Sequence, residues 1–217
     1  NGHVVRGTHR GQIRPLFGSL RDPQFAPRTI AQIENAVFVP QPVCQRMSSF
    51  ERVIVVFEDH IDAQSTERAL TEAGLVSQLY VHPRGQPWPT LAALIAQDTR
   101  LVIFAENATP PPAWLHHLWD EAWDTPYTFK TTQDFSCAPN RGTKGNALFL
   151  INHWLGNPLP DPLLARKANT YDVLGGRARQ CKAEGGQQPT FLAVDFYNSG
   201  ALFRVVNELN GLDGGIP

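Results

Sequence analysis

Four short apolar runs in this chain each stop at groups that do chemistry. Val53-Ile54-Val55-Val56-Phe57 runs into Glu58-Asp59-His60, and Leu101-Val102-Ile103-Phe104 is followed by Glu106-Asn107. Ala147-Leu148-Phe149-Leu150-Ile151 runs into Asn152-His153-Trp154, and Phe191-Leu192-Ala193-Val194 into Asp195-Phe196-Tyr197. Carboxylates and imidazoles move protons or hold metal ions, while amides and phenols orient a polar substrate. In parallel α/β folds, ligands bind beyond the carboxyl ends of the strands. Four such ends would therefore form a polar ring over an apolar core. Any one of these acids, Asp59 for example, would serve equally well as a helix cap. The four together are what predict a shared site.

Other candidates carry less. His116-His117 with Asp120 has a spacing that a metal could use. Neighbouring imidazoles on a helix point about 100° apart, however, so a solvated helix face is expected there. His82, in Tyr80-Val81-His82-Pro83, reads as a loop residue. Asn140-Arg141-Gly142-Thr143-Lys144-Gly145 lacks the full phosphate-loop pattern and precedes a strand, so it is not read as one. His3 and His9 are lone histidines of an irregular N-terminal segment.

The elements that would position these groups follow from the same runs. Each is four or five residues long and rich in β-branched or aromatic types, as in strands buried on both faces of a parallel sheet. Helical patterns lie between them, over 63–73 with Gly74 as a stop, and over 90–97 with Thr90 as the cap. Further helices are expected over 112–123, over 162–181 in two pieces broken at Gly175-Gly176, and over 201–209. Strands alternating with helices, without hairpin turns, predict parallel βα units. The first fifty residues are rich in Arg, Pro and Gln and hold one candidate strand, 36–39.

Composition sets outer bounds. The 217 residues suit a single domain, and 42% hydrophobic content with five Trp and twelve Phe excludes intrinsic disorder as the main state. A formal net charge of -1 argues against a dedicated nucleic-acid binder. No apolar run approaches the roughly 20 residues of a membrane span. The chain opens at Asn1 rather than Met and reads as a processed or trimmed product, which leaves a leader peptide open. Three cysteines without CxxC or finger spacing speak against zinc. One disulfide with one leftover thiol favours an oxidising compartment.

The stretch from Val53 to Gly211 resembles the later part of phosphatidylinositol-specific phospholipase C-like phosphodiesterases, of the small, secreted, single-domain type. The resemblance rests on Val55-Val56-Phe57-Glu58-Asp59 and on Trp88-Pro89-Thr90-Leu91 leading to Arg100-Leu101-Val102-Ile103-Phe104. It continues through Phe135-Ser136-Cys137, Pro139-Asn140-Arg141 and Asn152-His153-Trp154-Leu155. It ends with Phe191-Leu192-Ala193-Val194-Asp195-Phe196-Tyr197 and Val206-Asn207-Glu208-Leu209-Asn210-Gly211. It implies a TIM-type (β/α) barrel, distorted or incomplete toward the N-terminus, spanning 1–217 as one domain. The chemistry it implies is attack of an inositol 2-hydroxyl on the adjacent phosphodiester, with histidines as general base and general acid. An Arg or calcium would stabilise the phosphate charge.

Carried residue by residue, the resemblance makes His9 the catalytic imidazole and Asp195 its orienting carboxylate. Asp59, Asn152, His153 and Tyr197 would hold substrate, and Glu58 would be the ligand for a calcium ion. The family's Gly-Thr-His-Asn-Ser-like motif is matched here only as Gly7-Thr8-His9, with Arg10 and Gly11 following, and no His-Gly dipeptide occurs. Either early strands are missing or rearranged, or this member has lost its histidine pair. In the second case the barrel would bind a sugar-phosphate or lipid headgroup without cleaving it. Trp88, Trp154 and Tyr197 could then stack on a ring, and Arg141 or Lys144 could meet the phosphate. A glycerophosphodiesterase-like barrel is the third reading. The expected partner is a small-molecule or lipid phosphodiester, and the expected location is extracellular.

Similar proteins also carry a cysteine in the Phe-Ser-Cys context and another where Cys181 falls, which implies a Cys137–Cys181 bridge and leaves Cys44 unpaired. One βα unit separates the two cysteines, so its return path can bring them to the same rim. Their polar, Gly- and Pro-rich surroundings place the bridge near the surface.

Overall fold

The computed structural model describes residues 2–4, 30–33, 52–57, 62–99, 101–107, 112–156 and 159–212. The chain divides into two compact units, one of residues 1–26 and 34–118, the other of 27–33 and 119–217. Each contains a four-stranded sheet in which every neighbouring pair is parallel.

In the first unit the sheet order is β1 (Gly2–Val4), β3 (Arg52–Phe57), β4 (Leu101–Ala105) and β5 (Leu115–His117). All five residues of β4 are buried, as the run of apolar types requires of a strand covered on both faces. Leu101, Ile103 and Ala105 pack with Leu70, Leu75, Trp114 and Leu115. Leu70 comes from helix α1 (Ala63–Glu72), which begins where the Asp62 carboxylate accepts from the Ser65 amide at 2.8 Å. Helix α2 (Leu91–Ala96) is capped as expected, with the Thr90 hydroxyl accepting from the Ala93 amide at 3.1 Å.

In the second unit the order is β2 (Ile30–Ile33), β8 (Phe191–Val194), β7 (Leu148–His153) and β6 (Ala122–Asp124). Strands β7 and β8 are buried along their whole length. Helices α4 (Pro162–Ala168), α5 (Tyr171–Gly185) and α6 (Leu202–Leu209) follow, and α3 (Leu118–Glu121) is a single turn before β6. One face of the sheet packs Trp123, Phe149, Ile151, Leu192 and Val194 against Leu174, Ala178, Leu202 and Val205 of the helices. The Trp123 and Phe149 rings stack at 3.8 Å. Cys137 and Cys181 are bridged, with Cα atoms 5.1 Å apart. The pairing is as expected, but its place is not: both cysteines belong to the hydrophobic core rather than the surface.

Three further expectations are corrected. Residues 112–123 are not one helix but β5, α3 and β6. Their apolar residues fit a helical spacing, yet Trp114, Leu115 and His116 are buried in succession, as are Ala122, Trp123 and Asp124. A helix buries one stripe; pairing Ile103 with Leu115 and Ala122 with Leu148 buries both sides, and that pairing overrides local preference. His116 and His117 are consequently strand residues, with Nε2 atoms 3.1 Å from the Tyr80 and Glu106 carbonyls. The break in 162–181 falls at Asn169-Thr170, and Gly175-Gly176 continue α5. Gly175 faces α6 from inside the helix: a β-carbon there would lie 3.4 Å from a Val205 methyl, an ordinary contact distance, and 3.2 Å from Arg179 Nη1. His82, expected in a loop, is there but buried, stacked on Trp88 at 4.0 Å. The candidate strand 36–39 lies outside the described residues.

Candidate functional site

Because β6, β7 and β8 run parallel, their last residues share one edge of the second unit's sheet. Asp124 ends β6 and is fully buried. Its Oδ1 accepts from the Arg141 amide at 2.7 Å and Asn140 Nδ2 at 3.2 Å. Its Oδ2 accepts from Arg141 Nε at 2.9 Å, Arg141 Nη2 at 2.6 Å and Asn152 Nδ2 at 2.9 Å. Asn140-Arg141 reaches this position through paired main-chain bonds, Asp124 N to Arg141 O and Asn140 N to Asp124 O. Gly142 makes that approach feasible: with φ +70°, any β-carbon would lie 2.0 Å from the Ala122 carbonyl oxygen.

Arg141 is the part of this pair that solvent reaches. Its side chain is 30% exposed while that of Asp124 is wholly covered. Trp119 and Tyr127 flank the guanidinium, with ring centroids 4.2 and 4.8 Å from Cζ. Trp154 packs beside Tyr127. A guanidinium held by two donations to one carboxylate oxygen, with two aromatic rings beside it, is suited to an anionic partner such as phosphate.

Asn152 lies deeper. Its amide nitrogen donates to Thr125 Oγ1 at 3.0 Å, and its Nδ2 also donates to the Thr125 carbonyl at 2.6 Å. His153 is fully buried. Its Nε2 sits 2.9 Å from the Ala168 carbonyl, which can only accept, so Nε2 carries the proton. Nδ1 then holds the lone pair, 3.4 Å from Arg177 Nη1. Burial above all, then the Arg177 charge, pushes this imidazole down to about 3, so it stays neutral. Asp195, half-buried, is fixed through its carbonyl, which accepts from Asn169 Nδ2 at 2.8 Å. Tyr197 packs against the core of the unit.

Of the residues singled out in the sequence, the structure thus brings Asn152, His153, Asp195 and Tyr197 to one sheet edge, with both ring nitrogens of His153 engaged internally. His9, Glu58 and Asp59 lie outside the described residues. Among the described residues no group of three or more His, Cys, Asp or Glu could hold a metal ion, and the Asp124 oxygens are occupied by donors. Sequence reasoning missed Asp124, Thr125 and Arg177. Asp124-Thr125 follows the apolar pair Ala122-Trp123 just as the other polar strand ends follow their runs. That signal was hidden inside an expected helix. Arg177 has no such signal.

Comparison with known proteins agrees with the residues. The PI-PLC X family model matches residues 46–210. A PI-PLC X domain-containing protein of Arabidopsis thaliana is 25% identical over 183 residues, covering 74% of this chain and 41% of the relative. An uncharacterized secreted protein of Arthroderma benhamiae is 24% identical over 187 residues, covering 71% and 41%. The chain therefore spans about two fifths of the length of these curated relatives. No solved structure matches. With the family model covering most of its length, the chain belongs to the PI-PLC X domain family.

Proposed function

We propose that this PI-PLC X domain is a phosphoric diester hydrolase or lyase acting on a phosphatidylinositol-like substrate outside the cytoplasm. The observation that carries the reading is Arg141, fixed on buried Asp124 between Trp119 and Tyr127 at the carboxyl edge of a parallel sheet. Arg141 would face the phosphate, and the neighbouring rings would bound a sugar. The inositol 2-hydroxyl would attack phosphorus as the bond to the glycerol oxygen breaks. A base takes the hydroxyl proton, and an acid returns one to the leaving oxygen. His9 is the motif-compatible imidazole for this work, Asp195 would orient it, Asp59 and Tyr197 would hold substrate, and buried Asn152, expected to touch substrate, would instead brace Asp124 beneath Arg141. His153, neutral and enclosed, would support the site from behind rather than touch the substrate. Glu58 remains the candidate for a calcium ion, and no step is derived through that ion. A TIM-type barrel is the fold we infer; two all-parallel four-stranded sheets and the family support it. The core disulfide and the similarity to a secreted fungal protein support an extracellular location.

A second reading is favoured by one observation. The imidazole that ends β7 has no nitrogen available for proton transfer. Without His9 the domain would bind a headgroup and leave it intact. Hydrolysis of phosphatidylinositol and of a soluble chromogenic phosphodiester decides between them. Activity abolished in His9→Ala supports the enzyme. Binding of an inositol phosphate without turnover supports the binding module, and neither activity nor binding removes both.

A further inference from the structure

Arg177, on α5, is buried to 4% exposure inside the second unit. Nη1 donates to the Asn152 carbonyl at 2.5 Å and faces His153 Nδ1. Nη2 donates to Thr125 Oγ1 at 3.2 Å and to the Ser136 carbonyl at 2.9 Å. Phe129 and Phe135 lie against the guanidinium, 4.9 and 4.4 Å from Cζ. Among the described residues no carboxylate partners it, and Nε is buried without an acceptor. Burial lowers its ionisation to about 9, which still leaves it charged at neutral pH. An aliphatic side chain would fill the same space without burying a charge, so packing alone does not account for an arginine here.

What the arginine does hold is the peptide of Asn152. It binds the Asn152 carbonyl directly, and it binds the Thr125 hydroxyl that accepts the Asn152 amide. Asn152 Nδ2 then donates to Asp124, and Asp124 aligns Arg141. We infer that Arg177 is a positioning residue: through Thr125 and Asn152 it sets the Asp124–Arg141 pair and so aims the solvent-facing guanidinium. The claim rests on Arg141 as the anion-facing group only for its activity arm; the geometric arm stands without it.

The test uses the full oxidised chain. The Arg141 Nε–H resonance, assigned by its loss in Arg141→Lys, reports the bond to Asp124. In wild type it should be sharp and slow to exchange. In Arg177→Ala it should broaden or vanish, and millimolar guanidinium, which matches the space left against Phe129 and Phe135, should restore it where methylammonium does not. The soluble phosphodiester should lose about 10²-fold in kcat/KM in the same variant, with the same selective rescue, as expected of a displaced binding group. An unchanged Arg141 resonance in a folded Arg177→Ala protein would overturn the inference, and so would a loss that guanidinium fails to repair. If Arg177→Ala does not fold cooperatively, Arg177→Lys is read instead. It keeps the charge but loses the planar fork, and a lysine variant indistinguishable from wild type overturns the inference. An inactive wild type would sink the hydrolase reading while the resonance still decides the role of Arg177.

Discussion

Replacing Gly142 by alanine should destabilise the protein more than replacing Gly145, three residues away in the same loop. Both glycines have positive φ, +70° and +100°. An L-residue in that region costs about 1–2 kcal/mol at either site. The difference lies in space. A β-carbon on Gly145 meets nothing within 4 Å, whereas one on Gly142 falls 2.0 Å from the Ala122 oxygen and 2.9 Å from its carbonyl carbon. Those are backbone atoms of β6, paired with β7 through Ala122 and Leu148, so the overlap cannot be relieved by turning a side chain. Forcing such a shift adds about 1–3 kcal/mol. Gly142→Ala should therefore lose about 2–5 kcal/mol and Gly145→Ala only the conformational part, out of a total near 5–15 kcal/mol. In melting temperature the first corresponds to roughly 4–20 °C for a chain of this length. Urea unfolding followed by far-ultraviolet dichroism, under oxidising conditions, gives both values. Equal losses at the two sites, or a neutral Gly142→Ala, would refute the close approach and with it the seating of Arg141 on Asp124.

Three other outcomes follow from the same unit. Removing the bridge with Cys137→Ala and Cys181→Ala should lower stability by about 4 kcal/mol, from the closed loop in the chain-entropy model. The native chain should then titrate no more than one thiol, and three would contradict the bridge. Asp124→Asn removes the carboxylate under a partly solvated Arg141 and should cost about 1–3 kcal/mol in urea unfolding. An unchanged midpoint would show the pair to be incidental. His153 is held near 3 against an ordinary 6.5, so the unfolded chain binds its proton first as pH falls. Its contribution is complete above 6.5 and declines below it, by at most about 1.4 kcal/mol per pH unit. His153→Gln should flatten that slope, and identical slopes would mean the imidazole is not enclosed.

How far the fold could be read from the chain depends on element length. The runs that became β4, β7 and β8 were legible because complete burial demands consecutive apolar residues, and β3 carries a run of the same kind. Thr90 was legible as a cap because its hydroxyl has a local task. Strands β1, β5 and β6 have three residues each, too few to show a period, and their partners define them. The glycine pair in α5 misled for a related reason. Glycine lowers helix propensity without forbidding a helix, and the burial of Leu174, Arg177, Ala178 and Cys181 carries α5 through the pair. Arg177 was invisible because a buried arginine leaves the same sequence trace as an exposed one.

The polar strand ends show a finer signal that alternation explains. Trp123, Phe149, Ile151, Leu192 and Val194 all pack toward the helices. Successive side chains of a strand point to opposite faces. His153, two residues after Ile151, continues that helix-facing stripe, and it is accordingly enclosed by the Ala168 carbonyl and Arg177. Asp124 follows Trp123 by one position, and Asn152 follows Ile151 by one, which sends both to the other face, where they meet. Asp195 lies one residue past β8, in a bend where alternation no longer applies. The two strand residues that share the non-helical face are therefore an acid and an amide, while the histidine next to that amide belongs to the packing side. Proton transfer at this edge would then fall to an imidazole from elsewhere in the chain. For that reason His9→Ala, rather than His153→Ala, discriminates between a phosphodiesterase and a binding module.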